Sequence, residues 1–299
     1  MAIDWDDDSH DFPWETIDSD IERWLKEDAG RGDVTTDLLP LGGVSVTAEV
    51  LAKSDGVLAG VEGFLRILRR SDPGLRVEKV TPDGTRYRTG DVLVRISGDA
   101  RSILRAERTA MNLLNHLSGV ATLTAEFVKR VAGTKAKIVD TRKNIPGLRA
   151  LQKYAVRCGG GSNHRPDLAA SVLLKDNHIV LVGAELEEAI ELLRRRLGHT
   201  GKIEVEVDDI DQVERAASAG ADIIMLDNMT PDDGREAVQL VGDQVIIEAS
   251  GGVTLQNVRE WAESGVDVIS VGALTHSAPS ANLSLEFVGI FPSDSDAGS

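Results

Sequence analysis

Two rhythms of apolar and polar positions divide the chain. From about residue 137 onward, short apolar runs recur: KIVD (137–140), SVLL (171–174), IEVEV (203–207), DIIML (222–226), QVIIE (244–248) and DVISV (267–271). Between them, apolar residues fall at helical spacing near 148–157, 185–197, 209–219, 232–241 and 254–264. Near-continuous apolar strands separated by helices predict parallel pairing buried on both faces. The units are too short for decorated dinucleotide-binding folds and suit a tight β/α barrel. The pattern predicts an α/β chain whose incomplete or atypical β/α barrel spans 118–277.

The residues before it follow another pattern. Residues 13–28 carry Trp14, Ile17, Ile21, Trp24 and Leu25 at helical spacing, and Gly30 and Gly32 then force a turn before VTTDLL. Residues 44–52 (VSVTAEVLA) alternate and are β-branched, which predicts a strand; 56–60 continue extended and 61–70 read as a helix. Strands are expected at 75–80 and 92–96, joined by the turn-rich TPDGTRYRTGD. A helix follows at 100–117 with Ile103, Leu104, Met111, Leu114 and Leu117 on one stripe. After Ser118-Gly119 a second helix is predicted to about 131. Residues 13–117 thus read as an N-terminal α+β module of antiparallel character, and 1–12 as a disordered acidic tail.

Composition narrows the classes. The 299 residues exceed one small core, and the 41% hydrophobic content supports globular packing. No run approaches the roughly 18–20 apolar residues of a membrane span, and MAIDWDDDSHDF lacks the basic-then-apolar order of a signal peptide. A single cysteine, Cys158, excludes an intramolecular disulfide, so a reduced, cytoplasmic setting is expected. The formal charge of -16 argues against nucleic acid as a partner. Acids outnumber bases 49 to 33, a balance that also reads as a surface adapted to high salt, a halophilic trait. Against this background residues 129–175 hold eleven Lys or Arg and only two acids, Asp140 and Asp167. Such a cationic well inside an acidic chain can hold an anionic small molecule.

Barrel chemistry collects after the strands, at the carboxyl-terminal mouth. Arg142 and Lys143 follow the first strand, and Lys175, Asp176, Asn177 and His178 the second. Glu204 and Glu206 lie on the third, Asp227-Asn228 end the fourth, Ser250-Gly251-Gly252 follow the fifth, and Gly272 and His276 the sixth. Two glycine turns after the last two strands offer backbone N–H groups to a phosphate at Gly251, Gly252, Gly272 and Ala273. Glu206 and Asp227 suit Mg²⁺ or sugar hydroxyls. Arg142, Lys143, His164, Arg165 and Lys175 suit carboxylates and phosphates. Arg108, from its pattern alone, is an ordinary surface or salt-bridging arginine.

The segments ERTAMNLLNHLSGVAT, DTRKNIPGLRALQKYAVRCGGGSNHR, LLKDNH, IEVEVD, IIMLDN, EASGGV and SVGALTHSA, with GDVTTDLL ahead of them, resemble the motif series of the quinolinate phosphoribosyltransferases. The resemblance is collinear from about residue 30 to 277. It implies conversion of quinolinate and phosphoribosyl pyrophosphate to nicotinate mononucleotide, pyrophosphate and CO₂, with Mg²⁺, in NAD biosynthesis. It implies that Arg142, His164, Arg165 and Lys175 bind quinolinate, with Lys143 and Lys175 near the sugar pyrophosphate. Glu206 and Asp227 would hold ribose hydroxyls and Mg²⁺-pyrophosphate, and Lys175, Glu206 and Asp227 would be the catalytic set. Ser250, Gly251, Gly252, Gly272 and His276 would form the 5-phosphate region. It further implies a homodimer, open to higher assembly, in which Arg108 reaches the partner's site, and residues 278–299 returning to an N-terminal sandwich domain. The pair Pro166-Asp167 departs from the family pattern. The nearest rival is a related barrel phosphoribosyltransferase acting on nicotinate or another heteroaromatic acid.

Overall fold

The computed structural model describes residues 12–292; the expected acidic tail falls almost wholly on 1–11, outside the described residues. The chain divides into two compact units. One holds the described residues up to Thr122, with Arg157–Gly159 and those from Ala278 onward; the other holds Leu123–Val156 and Gly160–Ser277.

In the first unit a short 3-10 turn leads into α1 (Asp18–Ala29), which buries Ile21. Helix α2 (Val34–Leu38) starts where the Asp33 carboxylate accepts the Thr36 N–H at 3.1 Å, an N-cap that stops the preceding Gly-rich turn. Strand β1 (Val44–Ala52) realises its alternation, burying Val46, Ala48, Val50 and Ala52. There follow β2 (Gly56–Val57), α3 (Val61–Ser71), β3 (Arg76–Val80), β4 (Arg86–Tyr87), β5 (Val92–Asp99) and the long α4 (Ala100–Arg130). Helix α3 buries Phe64, Leu65, Ile67 and Leu68, each worth about 1.5–3 kcal/mol of transfer free energy. Strand β2 pairs with β4 in a small separate ladder.

The predicted break at Ser118-Gly119 is wrong: α4 runs through it without interruption. The glycine is there for proximity, since a Cβ at Gly119 would lie 2.1 Å from the Pro279 carbonyl oxygen. Ser118 is buried and satisfied locally, its hydroxyl accepting the Ala59 N–H at 3.1 Å. Neither residue needs a turn, so neither ends the helix.

The second unit alternates strand and helix: β6 (Lys137–Val139), α5 (Arg149–Cys158, whose last two residues fall in the first unit), β7 (Val172–Leu174), α6 (Asp176–Val182), α7 (Leu186–Arg196), β8 (Ile203–Val207), α8 (Ile210–Ser218), β9 (Ile223–Asp227), α9 (Pro231–Val241), β10 (Ile246–Ser250), α10 (Val258–Glu263), β11 (Val268–Ser270) and α11 (Ala273–His276). Starts are chemically marked: Asp209 caps α8, and Thr230 with Asp233 forms a capping box ahead of Pro231 in α9. All six strands are parallel, in the order β6-β11-β10-β9-β8-β7. The first strand therefore pairs with the last, so the sheet wraps as a barrel does, and the unclosed seam lies between β6 and β7. Part of that seam is filled by Ser162, which donates its N–H to Ile138 O and accepts from Asp140 N. The chain ends its described part in β12 (Leu283–Pro292), which pairs antiparallel with β1 and makes the first unit's sheet β12-β1-β5-β3.

Candidate active site

At the carboxyl ends of the barrel strands a cavity of about 530 Å³ is lined by Thr141, Arg142, Lys143, His164, Arg165, Leu173, Lys175, Glu206, Met225, Asp227, Asn228, Ser250, Gly251, Gly252 and Ser270. Ten of the thirteen site residues expected from sequence meet there. Gly272 and His276 lie just beyond the lining: a Cβ on Gly272 would come within 3.1 Å of Lys143 Cδ and 3.3 Å of His276 Nε2. Arg108 is an exposed residue of α4 in the other unit. A larger cavity of about 650 Å³ over β7 and α7 shares Arg165 and Leu173 but is walled mainly by Leu168, Leu192, Leu193, Leu197 and Val182. It carries no carboxylate and no glycine turn after a strand end, so the chemistry belongs to the first.

The cationic wall is built by a buried network. Asp140, the first residue beyond β6, is fully buried and pairs with Lys153 of α5. Asn163 Nδ2 donates to Asp140 Oδ2 at 2.6 Å and to Lys153 O at 2.9 Å, and the His164 N–H donates to Asp140 Oδ1 at 3.0 Å. One carboxylate thus ties the loop bearing Arg142 to the loop bearing His164 and Arg165. Burial pushes Asp140 above the usual carboxylate range, against the opposing pull of Lys153 and the His164 and Asn163 donors. On the far side, buried Gln152 accepts from Ile145 N at 3.1 Å and donates to Thr275 O at 2.7 Å, while Thr275 Oγ1 donates to Lys143 O at 2.7 Å.

Arg142 and Arg165 form no ion pair among the described residues, and the buried Nε of each has no hydrogen-bond partner there. Among the described residues the Arg165 guanidinium is held through Nη1, which donates to Ser171 O at 2.8 Å. Burial, then the charge of Arg142, press its pKa below the usual arginine value. Two guanidinium groups with donors to spare, next to each other, are suited to an anion.

Opposite them Glu206 of β8 and Asp227 of β9 present carboxylates on adjacent strands. Glu206 pairs with Lys175, and Asp227 Oδ2 accepts from Asn228 Nδ2 at 2.9 Å. Asn228 is the one non-glycine residue with positive φ (55°) among the described residues, a conformation asparagine tolerates best. It sits against the Ser250-Gly251-Gly252 turn, where φ is +84° and +60° at the two glycines. A Cβ on Gly251 would lie 2.2 Å from Asn228 Oδ1. Glycine is thus required at 251 by the close approach of Asn228, and at both positions by the positive φ.

Beneath the mouth lie two acids the cavity does not display. Glu204 of β8 and Glu248 of β10 are each 3% exposed. His164 Nε2 is 3.1 Å from Glu204 Oε1 and 3.6 Å from Glu248 Oε1. Burial and the Glu204 charge raise Glu248 to about 7. Burial would lower His164, but the Glu204 hydrogen bond and the charges of Glu248 and Glu204 outweigh it and raise it above its ordinary value. Sequence reasoning missed Thr141, Leu173, Met225 and Ser270, placed Asn228 at the mouth without a role, and gave Glu204 and Glu248 no role either. A signal existed for Glu204: two acids two residues apart on an otherwise apolar strand must share a face.

Known proteins bear on this site. Residues 120–286 match the family model for the quinolinate phosphoribosyl transferase C-terminal domain, and 33–118 that for the N-terminal domain. A probable nicotinate-nucleotide pyrophosphorylase [carboxylating] of Bacillus subtilis is 41% identical over 270 residues, covering 89% of this chain and 91% of that protein. The nicotinate-nucleotide pyrophosphorylase [carboxylating] of Mycobacterium leprae is 42% identical over 272 residues, covering 89% and 95%. The crystal structure of NadC from Streptococcus pyogenes superposes with a TM-score of 0.88 at 38% identity, covering 94% of this chain and 98% of that one.

Proposed function

We propose, for a chain that belongs to the quinolinate phosphoribosyltransferase family, a division of labour among its own residues in the family reaction. Its activity is that of a carboxylating nicotinate-nucleotide pyrophosphorylase, a pentosyltransferase of NAD biosynthesis. Quinolinate and phosphoribosyl pyrophosphate give nicotinate mononucleotide, pyrophosphate and CO₂.

The observation carrying the assignment of roles is the unpaired Arg142–Arg165 couple beside Lys175, in one cavity with Glu206 and Asp227. Two free guanidinium groups match two carboxylates, which favours the diacid over nicotinate. Arg142 and Arg165 hold quinolinate with its ring nitrogen toward the sugar. Gly251 and Gly252 offer backbone N–H groups to the 5-phosphate, with Ser250, Gly272 and His276 completing that end. Lys143 and Lys175 attract the pyrophosphate. As it leaves, positive charge develops at the ribose C1, and the Glu206 and Asp227 carboxylates stabilise it electrostatically. The pyridinium formed by ring-nitrogen attack stabilises the electron pair left on the adjacent ring carbon as its carboxylate departs as CO₂, and that carbon then takes a proton from water. The protein's main task is to hold two polyanions together against their repulsion.

Glu206 and Asp227 also fit Mg²⁺ carried by the pyrophosphate, since both are hard oxygen donors opening on the cavity from neighbouring strands. When bound, the ion neutralises charge on the leaving group. The protein works as a homodimer in the cytoplasm, Arg108 of a second copy completing the diacid site; the acidic surface is a salt adaptation. In support, Arg108 is exposed, and no described helix is long and apolar enough to cross a membrane.

The test is CO₂ release from quinolinate with phosphoribosyl pyrophosphate and Mg²⁺. Arg142→Ala is expected to weaken quinolinate binding by roughly 10- to 100-fold, the worth of a charged hydrogen bond, when measured by calorimetry. Unchanged affinity puts the acid elsewhere, and turnover of nicotinate without CO₂ overturns the assignment. Mixing inactive Arg108→Ala with inactive Lys175→Ala protein restores activity if sites are shared, and verified subunit exchange without recovery refutes sharing.

A further inference from the structure

His164 has four polar atoms, and all are occupied within its own unit. Its N–H donates to Asp140 Oδ1 at 3.0 Å, and its carbonyl accepts from Lys153 Nζ at 2.9 Å. Ring Nδ1 accepts the N–H of Arg165 at 2.8 Å, and Nε2 faces Glu204 Oε1 at 3.1 Å with Glu248 Oε1 at 3.6 Å. An Nδ1 that accepts a backbone N–H has its lone pair filled, so the ring proton stands on Nε2 and is donated to Glu204. A doubly protonated ring would set Nδ1–H against the Arg165 N–H, so the neutral tautomer is the one this geometry holds, despite carboxylates that favour the cation.

We infer that Glu204 and Glu248 are positioning residues of the diacid site: they fix the His164 ring with its proton on Nε2, and through Nδ1 they fix the Arg165 backbone. The guanidinium is thereby kept on the cavity wall with no carboxylate of its own to release. Glu204 supplies the acceptor. Glu248, with Oε1 buried and without a hydrogen-bond partner among the described residues, stands 3.6 Å from Nε2 as a second carboxylate facing the same ring nitrogen. A corollary concerns His164 itself, which has no free N–H for a ligand and meets the acid through its ring while Arg165 makes the ionic contact.

The same three groups are close enough to suggest a metal centre. Ligation would need the Nε2 lone pair, which this tautomer commits to a proton, and protonating Nδ1 instead would break its bond to Arg165. The geometry is that of a hydrogen-bonded floor.

The inference rests on the reading of Arg165 as a diacid-binding residue, and the experiment separates the two. Long-range ¹⁵N spectra of the histidine rings, with His164 assigned by its loss in His164→Gln, are expected to show a neutral ring protonated at Nε2 in the unaltered protein. A ring protonated at Nδ1 overturns the inference without any variant having to fold. Glu204→Leu should raise KM for quinolinate about tenfold, the scale of one lost buried hydrogen bond, with KM for phosphoribosyl pyrophosphate nearly unchanged. Glu204→Gln, which keeps an acceptor, should recover most of the loss, and Glu248→Gln should differ less from the unaltered protein than Glu248→Leu. Equal rises in both KM values, or a fall in kcat alone, overturn it. If Arg165→Ala leaves quinolinate KM unchanged, the diacid reading fails; if Arg165→Ala raises it and Glu204→Leu does not, only the present inference fails. Stoichiometric Zn²⁺ binding that disappears in Glu248→Gln would restore the metal reading in its place.

Discussion

Glu248→Gln isolates the energetic consequence of stacking two acids under one imidazole. Burial and the neighbouring Glu204 charge raise Glu248 from the ordinary 4.5 to about 7. Between those values the folded chain keeps a proton that the unfolded chain releases. The folded state then binds more protons, so stability falls as pH rises through this window and is level above it. A displacement of this size corresponds to about 3 kcal/mol. Glutamine has the shape of the neutral acid and cannot ionise. The assay is urea unfolding of both proteins from about pH 5 to about pH 8.5, compared as a difference at each pH so that other titrating groups cancel. The proteins should be close in stability at the acid end, with Glu248→Gln more stable by up to about 3 kcal/mol at the alkaline end. A difference that does not change with pH, or that grows toward acid, would refute the reasoning, because Glu248 would then be ionised throughout.

Other expectations follow from single contacts. Asp140→Asn leaves buried Lys153 without its counter-charge and should cost roughly 3–5 kcal/mol in denaturant unfolding; a loss under about 1 kcal/mol would show that water or relaxation replaces the acid. Gly119→Ala would gain about 1 kcal/mol of helix propensity in isolation, but its Cβ meets Pro279 O at 2.1 Å. A net loss of about 1–3 kcal/mol is expected by thermal melting, and a gain would mean that close approach is not held. The acidic surface predicts stability that rises with added KCl as like charges are screened. Unfolding in molar KCl would exclude salt adaptation.

Much of the barrel was legible because a parallel strand buried on both faces must be apolar throughout, as in IIMLD of β9. The mouth was legible because polar residues directly after such strands interrupt that rule. What escaped was anything set by distance rather than local pattern. Gly119 looks like a turn in one dimension and is a contact with Pro279 in three. Helix α6 was missed because DNHIVLV is nearly as apolar as a strand; Val180, Leu181 and Val182 are exposed, so no buried stripe marked it. Lys153 is one of several cations on α5, and nothing in its neighbours tells that Asp140 takes it out of water. Glu248 reads as the polar end of a strand, whereas β10 turns it toward Glu204, two strands away.

The two sides of the mouth handle charge differently, and the difference has a consequence for binding. On the side proposed to take the sugar pyrophosphate, the Lys175 ammonium already pairs with Glu206, partly in solvent, where such a pair is worth little. A pyrophosphate can take that cation cheaply. On the side proposed to take the diacid, the acid nearest to neutralising Arg165, Glu204, faces His164 Nε2 at 3.1 Å instead. Had Glu204 paired directly with Arg165, each quinolinate would have to break a largely desolvated ion pair before making its own, and the buried carboxylate left behind would be costly. Interposing the imidazole on the inferred tautomer satisfies Glu204 while leaving the Arg142–Arg165 repulsion only partly offset, by the charges of Glu204 and Asp167, until a dianion arrives. The cationic well visible in residues 129–175 is thus only half of the device; the other half is a pair of acids kept from cancelling it.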